Sequence, residues 1–213
     1  MEPNEKFLFL VVVGGRSPKA NIELHDVRWV IGTKIEDTFD QLRKDWFGAD
    51  NGLHIDSYKK IVSIDGYKIN LINKENNEPK NKIFKKEKLP NKKLWFVNIG
   101  GYDPSSMQEK HEFGLIVASS PSEAKTKAKS KWLIDCKKRH KDDISALKKF
   151  TDVDDCEVIN NIKNWEIELI PNDYHVEEKS IPDWFGYMRI DKKLFYLFTE
   201  KSFKKSELKF FDH

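Results

Sequence analysis

The chain has 213 residues, 34% of them charged, yet 38 basic and 35 acidic residues leave a net charge of only +3. That balance describes a solvated surface and argues against a dedicated nucleic-acid face. The two cysteines, Cys136 and Cys156, stand in no metal-binding spacing and are too few for a secreted disulfide scaffold, so a cytoplasmic setting is expected.

The apolar run at residues 7–13 is too short to cross a membrane and is followed by Gly14-Gly15, not by a cleavage site. It reads as a strand buried on both faces. The glycine pair marks its end, at a sharp turn or a close backbone approach. A polar loop with Pro18 and Asn21 leads to a second strand at residues 25–31. Alternation puts His25, Val27, Trp29 and Ile31 on one face, with Glu23 just before them.

Thr33 and Glu36 have the spacing of a capping box. Ile35, Phe39, Leu42 and Trp46 then mark the inner stripe of an amphipathic helix ended by Gly48. Residues 54–64 and 67–72 read as strands joined at Asp65-Gly66, a hairpin turn signal. Residues 73–91, rich in lysine and asparagine, read as a linker.

The chain then repeats itself. Shifted by 86 positions, residues 6–58 fall on 92–144 without a gap, and 11 of the 53 pairs are identical. The identities include Gly14/Gly100, Gly15/Gly101, Glu23/Glu109, His25/His111, Trp46/Trp132, His54/His140 and Asp56/Asp142. Four of the six histidines lie in these pairs, and such chemistry-bearing residues do not recur by composition alone. Ser120, Pro121 and Glu123 open the second helix, with Ala124, Ala128 and Trp132 on its inner face. An insertion at 145–155 precedes the return of register, where Tyr67 falls on Trp165.

The fold class is therefore α+β, with tandem duplicated β-β-α-β-β units, antiparallel sheets and a pseudo-twofold relation. The first unit is placed at 1–74, the linker at 75–91, the second unit at 92–171, and a C-terminal hairpin and tail at 172–213. That hairpin pairs 184–189 with 194–198 across Asp191-Lys192, and Phe203, Leu208, Phe210 and Phe211 close it onto the core.

Gly14-Gly15, the run from Ala20 to Asp26, Trp46 and the stretch Leu53-His54-Ile55-Asp56 resemble an uncharacterised bacterial family, domain of unknown function 1543. The first copy carries the resemblance over residues 7–72. The second departs from it at Met107, at Glu112 and in its insertion. The resemblance implies no activity.

The candidate ligand-binding residues are Gly14, Gly15, Arg16, Asn21, Glu23, His25, Asp26, His54 and Asp56. Their second-copy equivalents are Gly100, Gly101, Glu109, His111, His140 and Asp142. Two imidazoles and two carboxylates per copy suit a small ligand or protein partner, a divalent metal, or an acid–base pair. In a purely structural role, Glu23 and His25 would hydrogen-bond the backbone of the Gly-Gly loop. The expectation is a non-catalytic binding module for an unknown small molecule or protein, with no membrane, nucleic-acid or cofactor requirement and no metal. The rival is a metal-dependent hydrolase using His25, His54 and a carboxylate from Glu23, Asp26 or Asp56. Weak nucleic-acid binding through the lysine clusters is a third reading.

Overall fold

The structure, a computed structural model, describes residues 5–75, 91–102, 105–132, 138–139, 155–172 and 181–191. His140, Asp142, Cys136, the expected strand at 194–198, the closing phenylalanines and nearly all of the 75–91 linker lie outside the described residues.

The first strands are β1 (Phe7–Gly15) and β2 (Leu24–Gly32), followed by a 3-10 turn (Ile35–Thr38) and α1 (Phe39–Asp45). Then come β3 (His54–Ile61), β4 (Ser63–Ile64), β5 (Tyr67–Asn73), β6 (Lys93–Tyr102), β7 (Lys110–Ala118) and α2 (Pro121–Lys131). The last are β8 (Lys138–Arg139), β9 (Cys156–Val158), β10 (Asn161–Ile162), β11 (Trp165–Pro171) and β12 (Trp184–Arg189). The protein is thus mixed α+β, with mostly antiparallel sheets and, among the described residues, two short α-helices.

Two compact units divide the chain: Met1–Lys60 with Ile181–His213, and Ile61–Ser180. The division falls at the last residue of β3, inside the stretch that the repeat assigns to its first copy. The reason is pairing: β5 joins β11, whereas β3 lies beside β1.

In the first unit the sheet order is β12-β3-β1-β2. β1 is nine residues, none of them exposed, and it extends through both glycines. One face carries Phe9, Val11 and Val13, packed with Val30, Ile35, Leu42, Trp46, Leu53, Ile55 and Ile190. Full burial of each such aliphatic side chain contributes about 1.5–3 kcal/mol. β12 was expected to fold back on residues 194–198. Its partner among the described residues is β3, with Asp183 N–H donating to the Tyr58 carbonyl at 3.0 Å just before it.

The start of the first helix differs from the capping box expected at Thr33 and Glu36. Lys34 is the N-cap, and Asp37 Oδ2 accepts from the amides of Thr33 (2.9 Å) and Lys34 (3.2 Å). The segment opens as a 3-10 turn, which brings the short carboxylate of Asp37 over those two amides and leaves Glu36 exposed. The expected inner stripe keeps its role, with Ile35, Leu42 and Trp46 buried.

The described residues of the second unit form two sheets. In one, β6 pairs with β7, and also with β8 and β9, which flank the insertion. α2 begins as expected, with Ser120 as N-cap and Pro121 as first residue, and buries Ala124 and Ala128. In the other sheet, order β10-β11-β5-β4, two hairpins share one register. Ile64 pairs with Tyr67 around Asp65-Gly66, and Ile162 pairs with Trp165 around Lys163-Asn164. Asp65 and Lys163 both take positive φ, 50° and 52°. Asn70 faces Glu168, and the pairing runs outward evenly, Tyr67 with Pro171 and Asn73 with Trp165. Each strand therefore meets its own repeat counterpart about its middle residue.

The start of α2 holds an ionic cluster around Glu123. Glu123 Oε1 accepts from Lys92 Nζ at 2.6 Å, and Oε2 from the Ser119 amide at 2.8 Å. The Lys92 ammonium, then Ser119, hold the Glu123 carboxyl well below its ordinary value of 4.5. A depressed carboxyl contributes stability that is fully present above the unfolded-state value and is lost as pH falls through the folded one. In an acid series of urea titrations, the stability difference between wild type and Glu123→Gln is expected to persist below pH 4.5 and to close only in stronger acid. A difference that vanishes already at pH 5 sinks this account.

Candidate functional site

The two glycines sit on one strand and, by its alternation, face opposite sides of the sheet. Neither takes a positive φ, so the expected end of the strand is in fact a continuation of it. What they supply is close approach. A Cβ at Gly15 would lie 2.8 Å from the Trp46 ring, on the helix side. A Cβ at Gly14 would lie 2.6 Å from His54 Nε2 and 3.0 Å from His25 Cδ2, on the other side. Gly14 also pairs with His25 in the β1–β2 ladder. The missing side chain of Gly14 is the space in which two imidazoles come together.

Four sequence-predicted residues meet there. Asp56 bridges the histidines, with Oδ1 3.1 Å from His54 Nε2 and Oδ2 3.2 Å from His25 Nε2. Glu23 Oε1 lies 3.7 Å from His54 Nδ1. One ligand-type atom from each of Glu23, His25 and His54 can be chosen so that all lie within 4.8 Å of one another. His54 is 1% exposed and His25 51%, so the group is buried at one end and open at the other. Among the described residues, the polar side-chain contacts of Glu23 and His25 go to Asp56 and His54, not to the Gly-Gly backbone.

His54 is positioned from its back. Its Nδ1 lies 2.9 Å from the Gly52 carbonyl, and Gly52 holds a φ of +86° that favours glycine. The Gly52 amide donates to the buried Asp191 carboxylate at 2.9 Å, and Asp191 is in turn bound by Arg189. A carbonyl can only accept, so Nδ1 carries a proton in that bond. A neutral ring then presents a bare lone pair at Nε2, and what faces it is the Asp56 carboxylate, another acceptor.

The remaining candidates stand apart from this cluster. Asp26 is engaged by Arg28 and by the Val27 amide at 2.8 Å. Arg16 and Asn21 are exposed, and the Arg16 carbonyl accepts from the Ala49 amide. In the second copy Gly100 pairs with His111 and Gly101 with Lys110, as in the first copy, and Glu109 lies 3.6 Å from His111.

Sequence reasoning missed Tyr187. Its ring lies 4.0 Å from that of His54, centroid to centroid, tilted by 31°. It gets there by a β-bulge: Phe185 pairs with Ser57 and Met188 with Ile55, so Gly186 and Tyr187 together oppose Asp56 alone. A bulge re-aims a side chain. Gly186 inside an otherwise apolar-aromatic strand, with φ +149°, was the readable signal for it.

The fold and cluster define a mixed α+β protein with a compact, acceptor-rich histidine group on one sheet face. The chain belongs to the family described as domain of unknown function DUF1543, whose model matches residues 20–71 and 106–169. It is similar to a solved structure, a protein Il1583 from Idiomarina loihiensis, with 31% sequence identity and a TM-score of 0.62. That similarity covers 88% of this chain and 99% of the other. No curated protein matches this chain. Among the described residues, no helix is long and apolar enough to cross a membrane.

Proposed function

We propose that the first unit is a cation-binding module, with its site where the Gly-Gly end of β1 meets the starts of β2 and β3. One observation carries this reading. The carboxylates of Glu23 and Asp56 and the carbonyl of Gly52 surround a buried imidazole whose two nitrogens both face acceptors. A metal ion or an organic ammonium group is the positive partner that such a set of acceptors fits.

The test is a thermal-shift panel on the full chain. It uses Mg2+, Ca2+, Mn2+, Zn2+ and small alkylammonium salts, beside a His25→Ala/Asp56→Asn variant. A cation present at about 100 times its Kd stabilises by about 2.7 kcal/mol. At least one member of the panel is expected to raise the melting temperature of the wild type and not of the variant. A flat panel sinks the reading.

A metal-dependent hydrolase is the second reading, favoured by the 51% exposure of His25. An open side on such a group is what a catalytic ion needs for water or substrate. The nucleic-acid reading is not favoured. Its lysine clusters, at 85–88, 137–139 and 204–205, lie outside the described residues apart from Lys138 and Arg139, and Arg28, Lys59, Lys92, Lys127 and Lys131 pair with acidic side chains.

A further inference from the structure

We propose that this cation is a divalent first-row transition-metal ion, held by the imidazoles of His25 and His54 and the carboxylates of Asp56 and Glu23, with Tyr187 as a wall of the site. The inference rests on the cation-binding reading and narrows it to one chemical class.

Three independent features of the geometry support it. The first is spacing. Ligand atoms around one tetrahedral zinc ion, each at about 2.0–2.1 Å from the metal, stand roughly 3.3 Å from each other. The Asp56 oxygens lie 3.1 Å and 3.2 Å from the two Nε2 atoms, which are edges of that size. One ligand-type atom from each of Glu23, His25 and His54 lies within 4.8 Å of the others, which places the Glu23 carboxylate beside the two imidazoles.

The second is the support behind His54. A metal-binding histidine characteristically donates its other N–H to a carbonyl or carboxylate, which fixes the tautomer and aims the free lone pair at the ion. His54 does this through Nδ1 to the Gly52 carbonyl, while Nε2 points at Asp56. An ion between them turns two opposed lone pairs into two ligands.

The third is the bulge. Gly186 and Tyr187 oppose Asp56, and the Tyr187 ring lies against the buried His54 ring. An aromatic wall limits water at His54 while His25 stays open at the rim. Imidazole nitrogens select transition ions over Mg2+ and Ca2+, which prefer oxygen-only shells.

The experiment is isothermal titration of the full, tag-free, chelator-stripped chain with Zn2+ and, separately, Ca2+, followed by Co2+ absorption spectroscopy. The variants are His25→Ala, whose ring is half exposed and whose loss spares the core, and Asp56→Asn. One-to-one Zn2+ binding is expected, with tetrahedral-type Co2+ bands and at least a tenfold loss of affinity in each variant. Zn2+ binding of undiminished strength in His25→Ala overturns the inference, because the ion then sits elsewhere. Ca2+ or an alkylammonium ion binding as tightly as Zn2+ also overturns it but leaves the cation-binding reading standing. The absence of any cation binding in correctly folded protein, checked by circular dichroism, overturns both.

Discussion

Replacing Trp46 with alanine is expected to lower the stability of the first unit by about 3–5 kcal/mol, the usual cost of deleting a buried aromatic side chain. Trp46 is 7% exposed and belongs to the core that lies under β1. It also has two backbone neighbours that cannot move in to replace it. Its ring lies where a Cβ of Gly15 would be, and a Cβ of Gly48 would stand 2.7 Å from its Nε1. Both positions lack side chains, so the cavity left by the substitution has nothing to collapse into it. Nε1 donates to the Ala49 carbonyl at 3.2 Å, which closes the turn after α1. Urea unfolding followed by far-UV circular dichroism gives the magnitude, and amide exchange in β1 locates it. A loss under about 1 kcal/mol would show that Trp46 is peripheral to the fold.

The second large effect is expected at Asp191, which lies far from the histidines in sequence and directly behind them in space. Asp191 is 2% exposed and accepts from the Gly52 amide and from Arg189. Removing a buried carboxylate leaves its donors without their acceptor, at about 3–5 kcal/mol when the whole pair is buried. The Arg189 side chain is 39% exposed and regains water, so about 2–3 kcal/mol is expected for Asp191→Ala. Asp191→Asn keeps an acceptor for the Gly52 amide and is expected to lose less. The consequence reaches the site, since Gly52 holds His54 through its carbonyl. The imidazole nitrogen resonances of His54 are therefore expected to shift in Asp191→Ala and to recover in Asp191→Asn. Resonances unchanged in the alanine variant would disconnect Asp191 from the site.

Much of the local order could be read from the residues. The valine run, the hairpin turn at Asp65-Gly66, and the Ser120-Pro121 helix start are short-range patterns whose causes lie within a few positions. Gly14-Gly15 was visible as a constraint, but its meaning was not. A turn and a close approach leave the same letters, and only the positions of Trp46, His25 and His54 distinguish them. The cap at Lys34 and Asp37 escaped because the segment opens as a 3-10 turn, which shifts the acceptor by one position. Repetition singled out Glu23, His25, His54 and Asp56. It could not single out Tyr187, because β12 lies outside both copies and reaches the site through a pairing with β3 over a long sequence separation. The exchange of β5 from one sheet to another was likewise invisible, since alternation describes a strand and not its neighbour.

The even register of β5 against β11 has a consequence for how such a chain behaves with others of its kind. A strand that meets its own counterpart across its middle residue, here Asn70 opposite Glu168, has the geometry of a self-complementary contact between identical subunits. A polypeptide with one copy would carry that contact as an open edge, and its closure would depend on concentration. With both copies in one chain the edge is closed intramolecularly at any dilution. Among the described residues the borders of this sheet are β4 and β10, two residues each, too short to template a further strand. Pairing within one chain thus makes this contact the inner pair of the sheet formed by the described residues.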